Sequence, residues 1–274
     1  MTTSSSEAAV PTRRMSPRKR AQLTRGVQYA LLAAAVVAFL AVADLGQLQR
    51  AFLDSEVAAA QFPTVFTVAL RNTIFYTLLG FGFALGLGLV LALMRLSSVG
   101  PYRWLATLYV EFFRGLPALL VFLAIGTGVP IAFPGTFLDR WVAVMLALGS
   151  VGAAYIAETI RAGIQAVPRG QMEAARSLGM SSGRAMVTII IPQAFRIILP
   201  PLTNEIILLT KDSSLAYILG STAAQVELTQ FGRNALNSYR SLTPVLVAGV
   251  AYLIITIPLG ILVRRLEARG GKAR

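Results

Sequence analysis

Six long apolar runs are the feature of this sequence that most constrains its fold. A helix needs about 20 apolar residues to cross the hydrocarbon core of a bilayer. Runs of that length, bounded by charged or turn-forming residues, lie near residues 27–46, 66–94, 104–128, 141–163, 197–220 and 242–263. With 55% of its 274 residues hydrophobic and 14% charged, the chain is too apolar for an ordinary soluble domain. The sequence therefore predicts an all-α integral membrane protein with six transmembrane helices.

The distribution of Lys and Arg predicts how the chain is oriented in the membrane. If six spans are correct, eighteen of the 25 Lys and Arg residues share one side, in the stretches 1–25, 95–103, 161–196 and 264–274. The loops on the other side contain four basic residues, Arg50, Arg140, Arg233 and Arg240. Because cytoplasmic loops are enriched in Lys and Arg, both termini are expected in the cytoplasm.

The domain organisation follows from the same runs. Residues 1–26 are expected to form a disordered basic cytoplasmic tail, because they contain too little apolar surface to fold. The run at 27–46 follows a basic stretch, as a secretory signal does, but it is long, carries Asp44 and precedes further spans, so we expect a retained helix. Residues 65–263 are expected to form the main transmembrane domain, and residues 264–274 a second basic cytoplasmic tail.

The composition excludes several classes of function. The chain contains no Cys and no His, which removes disulfides, the usual zinc ligands, thiol nucleophiles and histidine acid–base chemistry. It also has no G-x-x-x-x-G-K-[ST] phosphate loop, so we do not expect it to hydrolyse ATP itself. Its net charge of +13 is concentrated in tails and loops, which argues against a nucleic-acid partner. We predict no catalytic residue, no metal site and no cofactor bound by this chain.

Glycines in the second run predict close helix packing. Gly80, Gly82, Gly86 and Gly88 give this run small-residue faces. Small residues let neighbouring transmembrane helices approach closely, so we assign these glycines to packing.

Residues 166–196, between the fourth and fifth runs, are too many for a tight turn and too apolar for an unstructured one. Pro168 suits the start of a helix. Residues 170–178 can form a short helix, which Gly179 is placed to end as a C-terminal cap. We therefore expect a folded loop on the cytoplasmic side.

The second half of this loop predicts another short helix. Ser181 or Ser182 can cap its N-terminus. The helix would run through Met186 and Ile189 until Pro192 interrupts it, because proline lacks the backbone N–H that an interior helical position requires.

Two hypotheses for this loop follow from the residues alone. It is either an amphipathic hairpin on the lipid surface, with its apolar residues Met172, Leu178 and Met186 inward, or a docking element for a soluble partner. In the second hypothesis Ala174 and Ala175 would allow close helix approach, and Glu173 would supply a charge.

The loop also resembles a known signature. It contains Glu173-Ala174-Ala175, then Gly179 after three residues, Ile189 after nine more and Ile191-Pro192 after one more. This spacing is similar to the EAA motif of permease subunits of bacterial ATP-binding cassette importers, with Ile191 in place of the usual Leu. In that family the loop is the coupling region, which sits in a groove of the ATPase subunit. The resemblance implies ATPase coupling through Glu173, Ala174, Ala175, Gly179, Ile189 and Pro192.

Further motifs between about residues 65 and 262 resemble the branch that imports polar amino acids. They are Glu111-Phe112-Phe113-Arg114-Gly115-Leu116-Pro117, Ala154-Tyr155 with Ala157-Glu158 and Arg161, Gly170-Gln171, Pro192-Gln193-Ala194 with Arg196, Pro200-Pro201 with Asn204, and Lys211-Asp212-Ser213-Ser214-Leu215. Leu116 departs from the branch, which usually has Thr or a similar residue there. The helix at 27–46 lies outside the usual five-helix core of the family.

The resemblance implies a multi-subunit importer in the bacterial cell membrane. Its partners would be ATP-binding cassette ATPase subunits that hold ATP and Mg²⁺, a second permease that is either a copy or a paralogue, and an extracytoplasmic solute-binding protein. The substrate would be of the glutamate, glutamine or basic amino acid type. A permease for another small solute, or a self-contained secondary transporter or channel, remains as the alternative, although no clear inverted repeat is present.

Ionisable residues inside the runs are candidates for a substrate or gate site, since such groups are costly in a bilayer. Glu158 and Arg161 are three residues apart on one helix face and can pair with each other, as can Glu111 and Arg114. Pairing or scaffolding is one interpretation of these four residues, and contact with substrate or a gate is the other. Farther along the chain, the polar residues that could line a path include Asn204 and Lys211.

Overall fold

The computed structural model describes residues 17–135 and 138–271, and the regular structure in these residues is helical. The α-helices are α1 (Pro17–Val42), α2 (Leu45–Phe52), α3 (Ser55–Ala59), α4 (Arg71–Leu96), α5 (Gly100–Gly115), α6 (Ala118–Leu123), α7 (Val129–Ala132), α8 (Arg140–Gln165), α9 (Arg169–Ser177), α10 (Ser182–Ala185), α11 (Ile191–Asp212), α12 (Leu228–Tyr239) and α13 (Thr243–Gly271). Short π-helical segments at Val65–Leu70, Ala124–Gly128 and Met186–Ile190, and 3₁₀ segments at Ser213–Leu219 and Ala223–Gln225, connect or extend them.

Within residues 17–135 and 138–271, five helical stretches are long and apolar enough to cross a membrane. They are Arg18–Val42, Val65–Leu96, Arg140–Gln165, Ser182–Leu219 and Thr243–Ala268. A sixth crossing depends on counting α5 and α6–α7 together, since that pair is bent by 105°. The chain is therefore an all-helical membrane protein with five to six spans.

The predicted span at 104–128 is not one continuous helix, because the helix breaks at Leu116 and Pro117. Leu116 is extended (φ −94°, ψ 139°) and ends α5. A residue before proline is pushed out of the α-helical region, and Pro117 then begins the next helix at its N-terminus. The sharp turn follows from this one dipeptide.

Two other predicted boundaries also change. Helix α1 begins at Pro17, so the predicted disorder of the tail is wrong for residues 17–26, while residues 1–16 lie outside the described chain. Proline suits the first helical position, and the Arg, Lys, Gln, Ala and Leu residues that follow favour helix. The fifth span begins fifteen residues before the predicted 197, at Ser182.

The chain divides between Ala51 and Phe52 into two compact units. In the first unit, α1 is exposed along its described length, and the Asp44 carboxylate accepts a hydrogen bond from Gln47 N at 2.9 Å at the start of α2. The second unit, from Phe52, contains the remaining helices and the hydrophobic core.

Helices α4 and α8 form the centre of the second unit and run in the same direction. Gly80 faces Leu148, and Gly88 faces Ile156 eight residues farther along both helices. Helix α11 runs antiparallel to α8, because Ile198 lies against Gly163 while Leu209 lies against Gly152. The bundle therefore has one end that contains the loop after α8 and an opposite end that contains the start of α8.

The glycine prediction is confirmed for one face of α4. A Cβ added at Gly80 or Gly88 would lie 2.7–2.8 Å from α8 side-chain atoms, whereas Gly82 and Gly86 have nothing within 4 Å. Gly80 and Gly88 serve the close contact, since residues eight apart can belong to one broad stripe of a helix surface.

We expect Gly88→Val to destabilise the protein by about 1–3 kcal/mol through overpacking. The matched Gly86→Val change places the same side chain on the open face of α4 and should have little effect. Thermal unfolding of the detergent-solubilised protein measures the difference, and equal shifts for the two variants would contradict the α4–α8 contact.

Candidate functional site

The loop after α8 contains α9 and a glycine turn, and we call residues 166–181 the connecting loop. Helix α9 ends in a Schellman motif, in which Met180 N donates to Ala175 O at 3.1 Å and Gly179 N donates to Arg176 O at 3.0 Å. Gly179 has φ +83°, a left-handed conformation that residues with a Cβ rarely adopt. The predicted helix and its glycine cap are thus present in this loop.

The connecting loop exposes part of the predicted coupling set. Glu173 and Ala174 are exposed, whereas Ala175 is only 2% exposed and packs inside the loop. Leu178, directly before the turn, is 85% exposed. An apolar side chain therefore stands at the tip of a basic loop.

The second helix of this region does not stop at Pro192. Ser181 caps it by accepting a hydrogen bond from Arg184 N at 3.4 Å, and helical structure then continues from Ser182 to Leu219. The expected interruption is wrong because a π-helical segment shifts the hydrogen-bond register just before Ile191, so that Pro192 falls in the first turn of α11, where proline is tolerated. Ile189 is half-buried and Pro192 is exposed.

Glu158 joins two helices near the connecting-loop end of the bundle. The Arg161 guanidinium donates hydrogen bonds to both carboxylate oxygens of Glu158, and Arg161 Nε lies 3.2 Å from Glu158 Oε2. This contact confirms the predicted pairing of the two residues. Arg95, from the end of α4, donates to the same carboxylate at 2.5 Å. We call Arg95, Glu158 and Arg161 the ion cluster; the sequence-based prediction missed Arg95 because it comes from another helix.

The possible pairing of Glu111 with Arg114 is wrong, since these two residues form no ion pair with each other in the described part of the chain. Arg114 instead lies with its guanidinium carbon 5.6 Å from the centroid of the Tyr155 ring on α8. A face of an aromatic ring attracts a cation, and both Glu111 and Arg114 are exposed.

Asn204 and Lys211 share one exposed face of α11 with Leu208 between them. These positions are separated by four and three residues, which is the spacing of a single helix face. Glu205, the next residue after Asn204, points elsewhere and is only 9% exposed.

A second polar cluster, which the sequence-based predictions missed, lies at the opposite end of the bundle. Arg140, only 8% exposed, donates from Nε to the Tyr76 hydroxyl at 2.9 Å and from Nη2 to Gln230 at 3.1 Å. Asn72 donates to the carbonyl oxygens of Ala224 and Val226, both at 2.8 Å. The only local signal for this cluster is that Arg140 is one of few basic residues on its side.

Glu227 is the fully buried acid of this cluster. Its carboxylate caps α12 by accepting from Thr229 N at 2.6 Å and Gln230 N at 2.7 Å, and it also accepts from the Tyr252 hydroxyl at 3.0 Å. Burial raises the pKa of the Glu227 carboxyl, although these donors and the charge of Arg140 oppose the increase. The Glu227 carboxylate thus connects α12 with α13 through hydrogen bonds to both helices.

Comparison with known families decides what kind of protein carries these features. Residues 84–271 match the family described as the binding-protein-dependent transport system inner membrane component. The chain belongs to that family. The match includes the connecting loop and the ion cluster, and it includes the polar cluster apart from Asn72 and Tyr76, which lie before residue 84.

Curated relatives agree with this membership. This chain is 43% identical over 183 residues to a probable glutamine ABC transporter permease of Bacillus subtilis, and the alignment covers 67% of this chain and 82% of the relative. It is 33% identical over 220 residues to an arginine transport system permease of the same organism, covering 79% and 97%.

A solved structure also resembles this chain. It is a crystal structure of an amino acid ABC transporter with histidines, which superposes with a TM-score of 0.72 at 35% identity and covers 79% of this chain and 99% of that one. The helical arrangement described above is therefore shared with a transporter of this family.

Proposed function

We propose that this chain is the membrane-spanning subunit of an ATP-driven importer of polar amino acids. The observation that carries the proposal is the family match over residues 84–271 together with relatives named for glutamine and arginine. The range of these relatives supports the substrate class and leaves the individual amino acid open.

The proposed motor is a separate ATP-binding cassette ATPase, which would hold ATP and Mg²⁺. The chain carries no phosphate loop of its own. This chain would supply part of the translocation path. Rigid-body movement of its spans would open the path to one side of the membrane and then to the other. The proposed assembly pairs it with a second permease, a copy or a paralogue, and with an extracytoplasmic solute-binding protein.

The connecting loop is the proposed contact with the ATPase. Glu173 and Ala174 lie on its exposed surface, Ala175 supports it from inside, and Gly179 shapes the turn that presents Leu178. We assign the apolar tip to an apolar pocket on the ATPase, since the fully buried core of an interface is more apolar than the rest of a protein surface. Ile189 and Pro192 would fix the start of the long α11 run behind the loop.

The proposed orientation places both termini and the connecting loop in the cytoplasm of a bacterial cell. The ion cluster lies near the end of the bundle that contains the connecting loop. Arg169 and Arg176 belong to this loop, and Arg184 follows it. Basic residues favour the cytoplasmic side, so the end that contains Arg140 and Glu227 would face outward, toward the solute-binding protein.

The candidate substrate residues separate into two groups. Glu158 and Arg161 are occupied by each other and by Arg95, which supports a scaffolding role at the α4–α8 contact. Asn204 and Lys211 form an exposed polar face on α11 and are the stronger candidates for the translocation path. Glu111 and Arg114 are exposed at the end of α5 and remain candidates for a gate.

The test of this function is ATPase assembly on the connecting loop. We expect Leu178→Asp to reduce recovery of the co-expressed ATPase by at least about tenfold, because an unpaired charge would have to be buried in an apolar pocket. Asn237→Asp adds the same charge at the opposite end and should leave recovery unchanged. Undiminished recovery with Leu178→Asp would contradict the proposed contact.

A further inference from the structure

Residues 220–239, which we call the cap, are fixed to three helices of the bundle. Asn72 of α4 binds the carbonyl groups of residues 224 and 226. Arg140 of α8 binds Gln230, and Tyr252 of α13 binds Glu227. Because these groups are buried, breaking their hydrogen bonds would leave polar atoms unsatisfied. The cap is therefore expected to move together with α4, α8 and α13.

Arg233 connects the cap to a different part of the chain. Its guanidinium carbon lies 4.4 Å from the centroid of the Tyr217 ring, within the range of a cation–π interaction. Tyr217 belongs to the 3₁₀ segment Ser213–Leu219, which also contacts α6 and places Leu219 against Gly126. The cap thus contacts this segment through the packing of α12 and through the Arg233–Tyr217 stack, and the segment in turn packs on the broken third span.

The segment that receives this contact is anchored in the core through Ser213 and Ala216, which are fully buried. A 3₁₀ helix has poorer hydrogen-bond geometry than an α-helix, and runs longer than about four residues are uncommon. The segment here has seven residues and ends at Gly220, which has φ +67°. It follows α11 in the chain and precedes the cap, so a shift of the cap relative to α11 would act on this segment.

We propose that Arg233 is a positioning residue that couples the cap to the 3₁₀ segment. In the importer described above, on which this inference rests, contact of the solute-binding protein with the outer end shifts the cap, and the stack on Tyr217 transmits the shift to the segment and to α6. Arg233 touches neither substrate nor ATP in this role, and it acts through Tyr217.

The experiment uses the complete importer in proteoliposomes and measures ATP hydrolysis against the concentration of the solute-binding protein. Arg233→Gln and Tyr217→Leu should each lower the maximal stimulation by about fivefold, since each removes the cation–π contact. The half-saturating concentration of the binding protein should stay unchanged. Arg233→Lys and Tyr217→Phe retain a cation and a ring, and they should restore most of the stimulation.

The controls separate this role from docking and from misfolding. Asn237→Ala changes an exposed residue one turn along the same helix, outside the stack, and should behave as the native protein. A raised half-saturating concentration with full maximal stimulation would make Arg233 a docking residue and overturn the proposal, as would unchanged stimulation in both variants. A native importer without any stimulation would overturn the proposed function and this inference together.

Discussion

Replacement of Gly179 by valine is expected to reduce transport by about tenfold while the chain remains in the membrane. Gly179 has φ +83°, and a left-handed residue with a Cβ costs about 1–2 kcal/mol, more for a β-branched side chain. Space is not the obstacle, because nothing lies within 4 Å of an added Cβ. The strain would unwind the Schellman turn and displace Leu178 from the tip of the connecting loop.

The matched control is Gly170→Val in the first turn of α9. Gly170 also has nothing within 4 Å of an added Cβ, and its φ is not positive, so the same side chain enters without backbone strain. Substrate uptake into proteoliposomes, normalised to inserted protein, measures both variants. Equal uptake by Gly179→Val and the native chain would show that the turn is not needed for coupling.

Loss of Glu158 is expected to be the most destabilising change in the ion cluster. Its side chain is 26% exposed and that of Arg95 is 14% exposed, and Glu158→Ala would leave two arginines without their carboxylate. Removing one partner of such a partly buried, charge-assisted hydrogen bond costs about 1–3 kcal/mol. The expected result is a large decrease in the melting temperature of the detergent-solubilised protein.

Two variants isolate the cause of that decrease. Arg161→Ala keeps the Arg95–Glu158 pair and should cost less than Glu158→Ala. Glu111→Ala removes an exposed carboxylate that makes no ion pair among the described residues and should change the melting temperature little. If Glu111→Ala proves as harmful as Glu158→Ala, the assigned roles of the two carboxylates are wrong.

Local patterns in the sequence predicted the local structure. Apolar runs of sufficient length predicted most of the spans, and the Gly179 position predicted the cap of α9, because both depend on residues that are close in the chain. The spacing of Glu158 and Arg161 predicted their pairing for the same reason. Pro117 and Pro192 were harder to interpret, since a proline can begin, bend or end a helix according to the backbone around it.

Contacts between distant parts of the chain were beyond these patterns. Arg140 meets a tyrosine 64 residues earlier and a glutamine 90 residues later, and Arg95 reaches Glu158 across 63 residues. Each of these contacts depends on the packing of α4 against α8 and of the cap against both helices. A single sequence does not encode such pairings in any short-range spacing.

The most direct test of the importer assignment is uptake of radiolabelled glutamine, glutamate and arginine by proteoliposomes that contain this chain, its ATPase and its solute-binding protein. The proposed function predicts accumulation of at least one of them against its gradient, with uptake lost when ATP, the ATPase or the binding protein is omitted. Uptake by this chain alone, down a gradient and without ATP, would contradict it and establish a self-contained transporter or channel.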